Sequence, residues 1–566
     1  MLYYMCPSII PHGLTTAIIL KLNLLCAHAW PASVESDVLA RTESGWVRGL
    51  RRYGENGVYY ASFRGVPYAK QPLGHLRFKE LQPAEPWELL DALQEGPACL
   101  QTDKFYGPLM KPRGFSEACI FANVHVPLPT EGWSPELGPA RLPIFVFIHG
   151  GGFAFGSGDS DFHGPEYLVS RGVIVITFNY RLNVFGFLAM NTTNIPGNAG
   201  LRDMITLLRW VRNNARSFGG DPDNVTIAGQ SAGGIAAHLL TLSEPAEGLF
   251  KRAILMSGVG TSGFYSPSPT FAQVIAGQLL TLLGISSADP DEIHQQLIAM
   301  PAEKLTEANA FLLEQYGLIT FVPTVESPLP GITMVLDDFP ETLIAKGRGK
   351  DIPLIIGFTD PECETFRPRL DEIDIAKKIK ENPTLIVPSS VIFTTPPDLL
   401  LYVAKKIDTE YFNGTINTDN FVNLCSDSYF EYPALDLAMK RAEAAAPTFL
   451  YRFVYDSDHS VVQEASGHKQ YEGAGHTEDM TYVFKVNSIP IQRDSRDEHM
   501  KYRMTSFFVN FLKNREPWAL WPPVTPEQIV YENIEQPEKC EIKSLSEKQQ
   551  HLIKFFSNLR KTNIPN

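Results

Sequence analysis

Ten residues, Val225-Thr226-Ile227-Ala228-Gly229-Gln230-Ser231-Ala232-Gly233-Gly234, restrict this chain more than any other stretch. Val225 to Gly229 reads as a short buried strand running into glycine, and Ile235-Ala236-Ala237-His238-Leu239-Leu240 reads as the helix that follows. A strand that turns at once into a helix holds the side chain at the corner in a strained, exposed position. Glycine suits positions 229 and 233 because a Cβ at either place would strike the facing backbone. Amides at the start of the helix point at Ser231 and favour an anion there. Gly-x-Ser-x-Gly in this setting makes Ser231 a candidate nucleophile.

A serine hydroxyl attacks only when a base removes its proton and a third group orients that base. The negative oxygen it creates also needs donors. His149-Gly150-Gly151-Gly152-Phe153 follows the apolar run Ile144 to Ile148. Three glycines at the end of a strand let backbone N–H groups approach a ligand with no side chain between, so Gly151 and Gly152 are the expected donors, with the Ala232 amide as the third. Among 13 histidines, His476 lies in the loop Gly473-Ala474-Gly475-His476-Thr477-Glu478-Asp479, after the late strand Phe449 to Phe453. That is the expected place for the base, whereas His459 and His468 lie in polar surface stretches. Carboxylates follow the apolar run Leu354 to Ile356 at Asp360, Glu362 and Glu364. Chemistry alone leaves all three open as the orienting acid.

Around these residues the chain alternates strands and helices. Val173 to Phe178, Ala253 to Met256 and Leu354 to Gly357 are further apolar runs of buried parallel strands, and Gly200 to Ala215 has helical spacing. Such alternation predicts an α/β fold with a large, mostly parallel central sheet covered by helices on both faces. Gly45 to Gly49 and Val58 to Phe63 predict a small antiparallel sheet near the N-terminus. Ser266 to Lys304 reads as helical insertion, and Met500 to Leu512 and Glu547 to Leu559 as late helices. No linker interrupts the chain, so 30–566 is expected as one domain.

Residues 1–29 read as a signal peptide, with an apolar stretch from Leu14 to Leu25 and a small-x-small site at Ala27-His28-Ala29. Export from the cell, with a mature start near Trp30, is the expectation. No later stretch reaches the roughly 18 apolar residues of a membrane span. A net charge of −14 argues against nucleic acid or anionic lipid as partner, since both need a basic face. Five of the seven cysteines lie after residue 29, an odd number that leaves one thiol unpaired within the chain. Sequons begin at Asn191, Asn224 and Asn413. Asn224 opens the nucleophile's strand and is expected to be enclosed, which leaves Asn191 and Asn413 as glycosylation candidates.

Taken together, Phe63-Arg64-Gly65-Val66-Pro67-Tyr68-Ala69, Leu76-Arg77-Phe78, Ser116-Glu117-Ala118-Cys119, His149 to Phe153, Asn179-Tyr180-Arg181 and Phe218-Gly219-Gly220-Asp221-Pro222 resemble the type-B carboxylesterases. This is the cholinesterase and insect esterase family of the α/β-hydrolase fold, and the resemblance runs from about Ser36 to about Pro526. It implies Glu362 as the acid, four residues before Phe366, and so a triad of Ser231, Glu362 and His476. It also implies a Cys99–Cys119 disulfide and the ion pairs Arg77–Glu117 and Arg181–Asp203, and no metal or organic cofactor. The implied partner is a small-molecule ester.

Some positions depart from the family pattern. Ala118 replaces the usual aspartate, and the family's second disulfide has no counterpart between Cys119 and Cys363. Gln230 stands where many members have glutamate. That variant is similar to insect juvenile-hormone esterases and some antennal esterases, and it suits a neutral, largely apolar ester: a juvenile hormone, odorant, pheromone or xenobiotic. Met204, where many members have glutamine, counts against the juvenile-hormone substrate. Two other readings belong to the same fold: a non-catalytic adhesion protein, and a protein that sequesters esters or organophosphates with little turnover.

Overall fold

The computed structural model describes residues 37–103, 105, 107–128, 141–316, 319–468 and 471–561. Val38–Asn566 forms one unit. The signal peptide expected over 1–29 and the start expected at Trp30 lie outside the described residues.

One sheet of 13 strands organises this unit. Its antiparallel part is β1 (Asp37–Thr42), β2 (Gly45–Tyr53) and β3 (Tyr59–Pro67), with β4 (Leu89–Asp91) beside β2. β5 (Ala98–Cys99) and β6 (Phe115–Ser116) form a separate small pair. β7 (Phe121–Pro127) joins β3 to β9 (Ile174–Phe178), antiparallel to both. From β9 the sheet turns parallel. It continues through β8 (Leu142–Ile148), β10 (Gly220–Gln230), β11 (Arg252–Met256), β12 (Leu354–Thr359), β13 (Thr448–Phe453) and β14 (Val530–Ile534), and β15 (Ile542–Ser544) closes it antiparallel. The antiparallel strands expected near the N-terminus are thus continuous with the main sheet.

The apolar runs became central strands because both of their faces are covered. Every residue of β9, β11 and β12 is buried. Helices Ala199–Asn214, Ala232–Leu242 and Ser495–Asn514 supply cover, and Glu547–Lys561 follows near the end. The insertion read from 266 to 304 holds helices Pro269–Leu282 and Pro290–Ala299.

Both expected ion pairs form at 2.6 Å, Arg77 with Glu117 and Arg181 with Asp203. Arg77 also donates to the carbonyls of Leu297 and Met300, 2.8 Å each, and so ties the helical insertion to the β3–β7 region. Cys99 and Cys119 are bonded. A second disulfide, Cys363–Cys425, was not foreseen, and among the described residues Cys540 is the free thiol, at an exposed position. Asn191 and Asn413 are exposed. Asn224 is half-buried, with Oδ1 accepting from Arg252 at 2.6 Å.

Candidate active site

β10 and β8 run side by side, Gly229 opposite Ile148, so their carboxyl ends deliver the serine and the glycine loop to one place. At the end of β10, Ser231 has φ 58° and ψ −125° and leads into the helix Ala232–Leu242. A non-glycine residue held there stores roughly 1–3 kcal/mol of strain. Sterics leave little alternative. A Cβ on Gly229 would lie 2.1 Å from the Gly233 carbonyl oxygen, and one on Gly233 would lie 2.0 Å from that of Ile148. The Ser231 amide donates to the Met256 carbonyl at 2.8 Å, which locks the corner to β11.

The glycine loop is braced from behind. Gly151 and Gly152 have φ of 102° and 60°, conformations that side chains resist. A Cβ on Gly151 would also meet the Phe155 carbonyl oxygen at 2.1 Å. His149 stacks on Tyr180 with ring centres 4.4 Å apart, and Tyr180 donates to the His149 carbonyl. Burial pushes the His149 imidazole down to about 4, so it is neutral. Its Nδ1–H donates to the Gly150 carbonyl at 2.8 Å. In a trans peptide the N–H points opposite to the C=O. Fixing the Gly150 carbonyl therefore turns the Gly151 N–H away from His149, on the loop that lines the pocket beside Ser231. The Ala232 amide is the first of the following helix.

Glu362 and His476, the expected acid and base, arrive on the segments after β12 and β13. Glu362 Oε2 accepts from His476 Nδ1 at 2.6 Å, and its Oε1 accepts from the Thr359 amide at 2.8 Å. Both side chains are almost wholly buried, and the His476 amide donates to the Glu362 carbonyl. The other two carboxylates face elsewhere. Asp360 pairs with Arg452, and Glu364 pairs with Arg367 at 2.6 Å and lies 3.3 Å from His468. His459 does not line the pocket that Ser231 and His476 share.

Two aromatic rings flank His476, of which only Phe366 had a sequence signal. Phe366 and Phe430 place their rings 5.1 and 4.8 Å from the His476 ring. Phe430 lies on a π-helical turn, Ser426–Glu431, directly after Cys425, whose disulfide partner Cys363 adjoins Glu362. Below the base, Asp479 accepts from Tyr451 Oη at 2.6 Å. Burial pushes Asp479 up to about 6 and Glu478 up to about 7.

Ser231 and His476 open into an apolar pocket walled by Phe105, Leu109, Phe155, Phe264, Phe366 and Val462. Among the described residues no Asp, Glu, Lys or Arg lines it. Of these walls only Phe366 was marked by the sequence. Among the described residues no group of three His, Cys, Asp or Glu side chains is placed to hold a metal.

A strand-to-helix serine, a glycine loop and a buried Glu–His pair on the neighbouring strand ends are the parts of a serine ester hydrolase. Residues 36–553 match the carboxylesterase family, and the chain belongs to it: it is a carboxylic ester hydrolase with the α/β-hydrolase fold. It is 56% identical to a juvenile hormone esterase of Heliothis virescens over 96% of this chain and 98% of that one. It is 31% identical to esterase FE4 of Myzus persicae over 90% and 91%. The crystal structure of juvenile hormone esterase from Manduca sexta, with OTFP covalently attached, superposes with a TM-score of 0.89 at 56% identity, covering 93% of this chain and all of that one.

Proposed function

We propose that Ser231, Glu362 and His476 are the catalytic triad and that the ester hydrolysed is a juvenile hormone. The observation that carries the triad is the 2.6 Å contact of His476 with Glu362 beside the strained Ser231. His476 Nε2 takes the Ser231 proton as Oγ attacks the carbonyl carbon. Glu362 holds the imidazolium that results. The Gly151, Gly152 and Ala232 amides receive the tetrahedral oxyanion, each donor contributing about 3 kcal/mol to the barrier reduction. His476 then gives its proton to the departing alkoxide. Water attacks the acyl-enzyme with His476 again as base, and the acid leaves with Ser231 restored.

An uncharged, aromatic pocket supports a neutral apolar ester, and the 56% identity to juvenile hormone esterases supports this substrate. Met204 is fully buried and does not line the pocket, so its departure bears on packing. The test measures hydrolysis of juvenile hormone and of 4-nitrophenyl acetate by the wild type, Ser231→Ala, Glu362→Gln and Glu364→Gln. Ser231→Ala is expected to be inactive, Glu362→Gln to lose roughly 10³–10⁴ in kcat, and Glu364→Gln to stay near wild type. Equal rates in wild type and Ser231→Ala would sink the triad. Cleavage of the acetate but not the hormone would sink the substrate, and a burst without turnover would point to sequestration.

We also infer that the protein is exported, a reading the two disulfides support. Exported protein should begin near Trp30 and carry glycan at Asn191 or Asn413.

A further inference from the structure

Gln230 precedes the nucleophile and is wholly buried. The tip of its side chain sits between the two halves of the site. Its Nε2 lies 3.1 Å from His476 Nε2, and its Oε1, on the side of the glycine loop, has no hydrogen-bond partner. A Cβ on Gly150 would come within 2.8 Å of that Oε1, so the tip is confined.

The protonation pattern of the histidine follows from its other contact. Nδ1 faces the Glu362 carboxylate at 2.6 Å and holds the proton. Nε2 of the neutral ring is therefore a single lone pair: the Gln230 –NH₂ donates to it at rest and yields it to the Ser231 hydroxyl before the proton moves. When Nε2 takes the Ser231 proton it becomes a donor, and –NH₂ would then face N–H. A half-turn about the Cγ–Cδ bond brings Oε1 to the same place as an acceptor. Glutamate at this position offers acceptors alone and methionine offers neither, although both are close to glutamine in size.

We propose that Gln230 is a positioning residue for His476 whose amide turns over with the state of the imidazole. It donates through Nε2 to the neutral ring and accepts through Oε1 from the imidazolium. The Nε2–H of the imidazolium is shared between Gln230 and the departing oxygen of the ester, so the ring keeps its orientation through both proton transfers. This rests on the triad proposed above. Other groups around His476 do not fill that role. Glu362 holds Nδ1, and Asp479, the second acid whose charge reaches the ring, is bound to Tyr451. Thr365 Oγ1 donates to the His476 carbonyl, and Phe366 and Phe430 are apolar.

The test is the pH dependence of kcat and kcat/KM for 4-nitrophenyl acetate in wild type, Gln230→Glu and Gln230→Met. A fixed carboxylate beside Nε2 favours the imidazolium, so Gln230→Glu is expected to move the acid limb of kcat/KM up by about one pH unit. Gln230→Met removes a hydrogen bond that is stronger to the imidazolium than to the neutral ring, so kcat is expected to fall about tenfold and the limb to move down by less than about one pH unit. An unmoved limb in Gln230→Glu, or wild-type kcat in Gln230→Met, overturns the proposal. Should Gln230→Met fail to fold, the limb of Gln230→Glu decides alone. Loss of the triad reading shows separately, as activity surviving in Ser231→Ala.

Discussion

The two halves of the site are held in different ways. Ser231 and the glycine loop are placed by backbone: Gly229, Gly233 and Gly151 each stand where a Cβ would come within 2.1 Å or less of a carbonyl oxygen. Glu362 and His476 ride on loops, and side chains place them. Thr359 holds one carboxylate oxygen by its amide, Phe366 and Phe430 flank the imidazole, and Cys363–Cys425 ties the acid's turn to the turn that carries Phe430. Backbone sterics leave no graded response, whereas a set of side-chain contacts can lose one member and keep the rest. The nucleophile half should therefore fail abruptly and the acid–base half by degrees.

The sharpest way to break that contrast is Gly233→Ala. Its Cβ would sit 2.0 Å from the Ile148 carbonyl oxygen, a backbone atom of the central sheet. The expected cost is roughly 3 kcal/mol or more, read as a large fall in melting temperature with activity lost. Wild-type activity in this variant would show that the corner can yield.

Replacing Cys363 and Cys425 together with serine opens a loop of 62 residues. About 2–4 kcal/mol of stability should go, with a kcat loss under about tenfold because the Thr359 amide still holds Glu362. Complete inactivation without unfolding would mean that the disulfide alone positions the acid.

The smallest effect concerns Glu431, at the end of the turn that carries Phe430. Burial, then the charges of Asp360 and Asp427, push it up to about 7. Its unfolded value lies near 4.3, so the folded state keeps a proton that the unfolded state releases. The stability this contributes is full below about pH 4 and is lost as pH rises through about 7. Glu431→Gln should match wild type in melting temperature at about pH 4 and exceed it by a few degrees at about pH 8. Parallel curves for the two proteins would show that Glu431 does not titrate in this range.

What could be read from the sequence follows the same division. Backbone requirements are written as glycine, so the elbow at Ser231 and the loop at Gly151 and Gly152 were legible, as were the apolar central strands. Asp360, Glu362 and Glu364 looked alike because their fates depend on Arg452, Arg367 and His476, and two of these lie far away in the chain. Family resemblance separated them, and of the three Glu362 is the one whose carboxylate meets His476. Cys363–Cys425 was hidden because five cysteines carry no spacing rule, and the missing family disulfide said nothing of a different pair. β14 escaped notice because its buried centre holds Glu532 and Asn533, with Glu532 paired to Arg503. The pocket walls Phe105, Phe264 and Val462 share no periodicity and meet only in three dimensions.

The order of the parts along the chain has a consequence for synthesis. Serine, glycine loop and acid all precede His476, which stands 114 residues after Glu362. A nascent chain that has emerged as far as Gly475 carries the proposed nucleophile without the proposed base. On the triad proposed above, reactivity is withheld until the base loop after β13 has left the ribosome, and a fragment ending at Gly475 is expected to show no esterase activity.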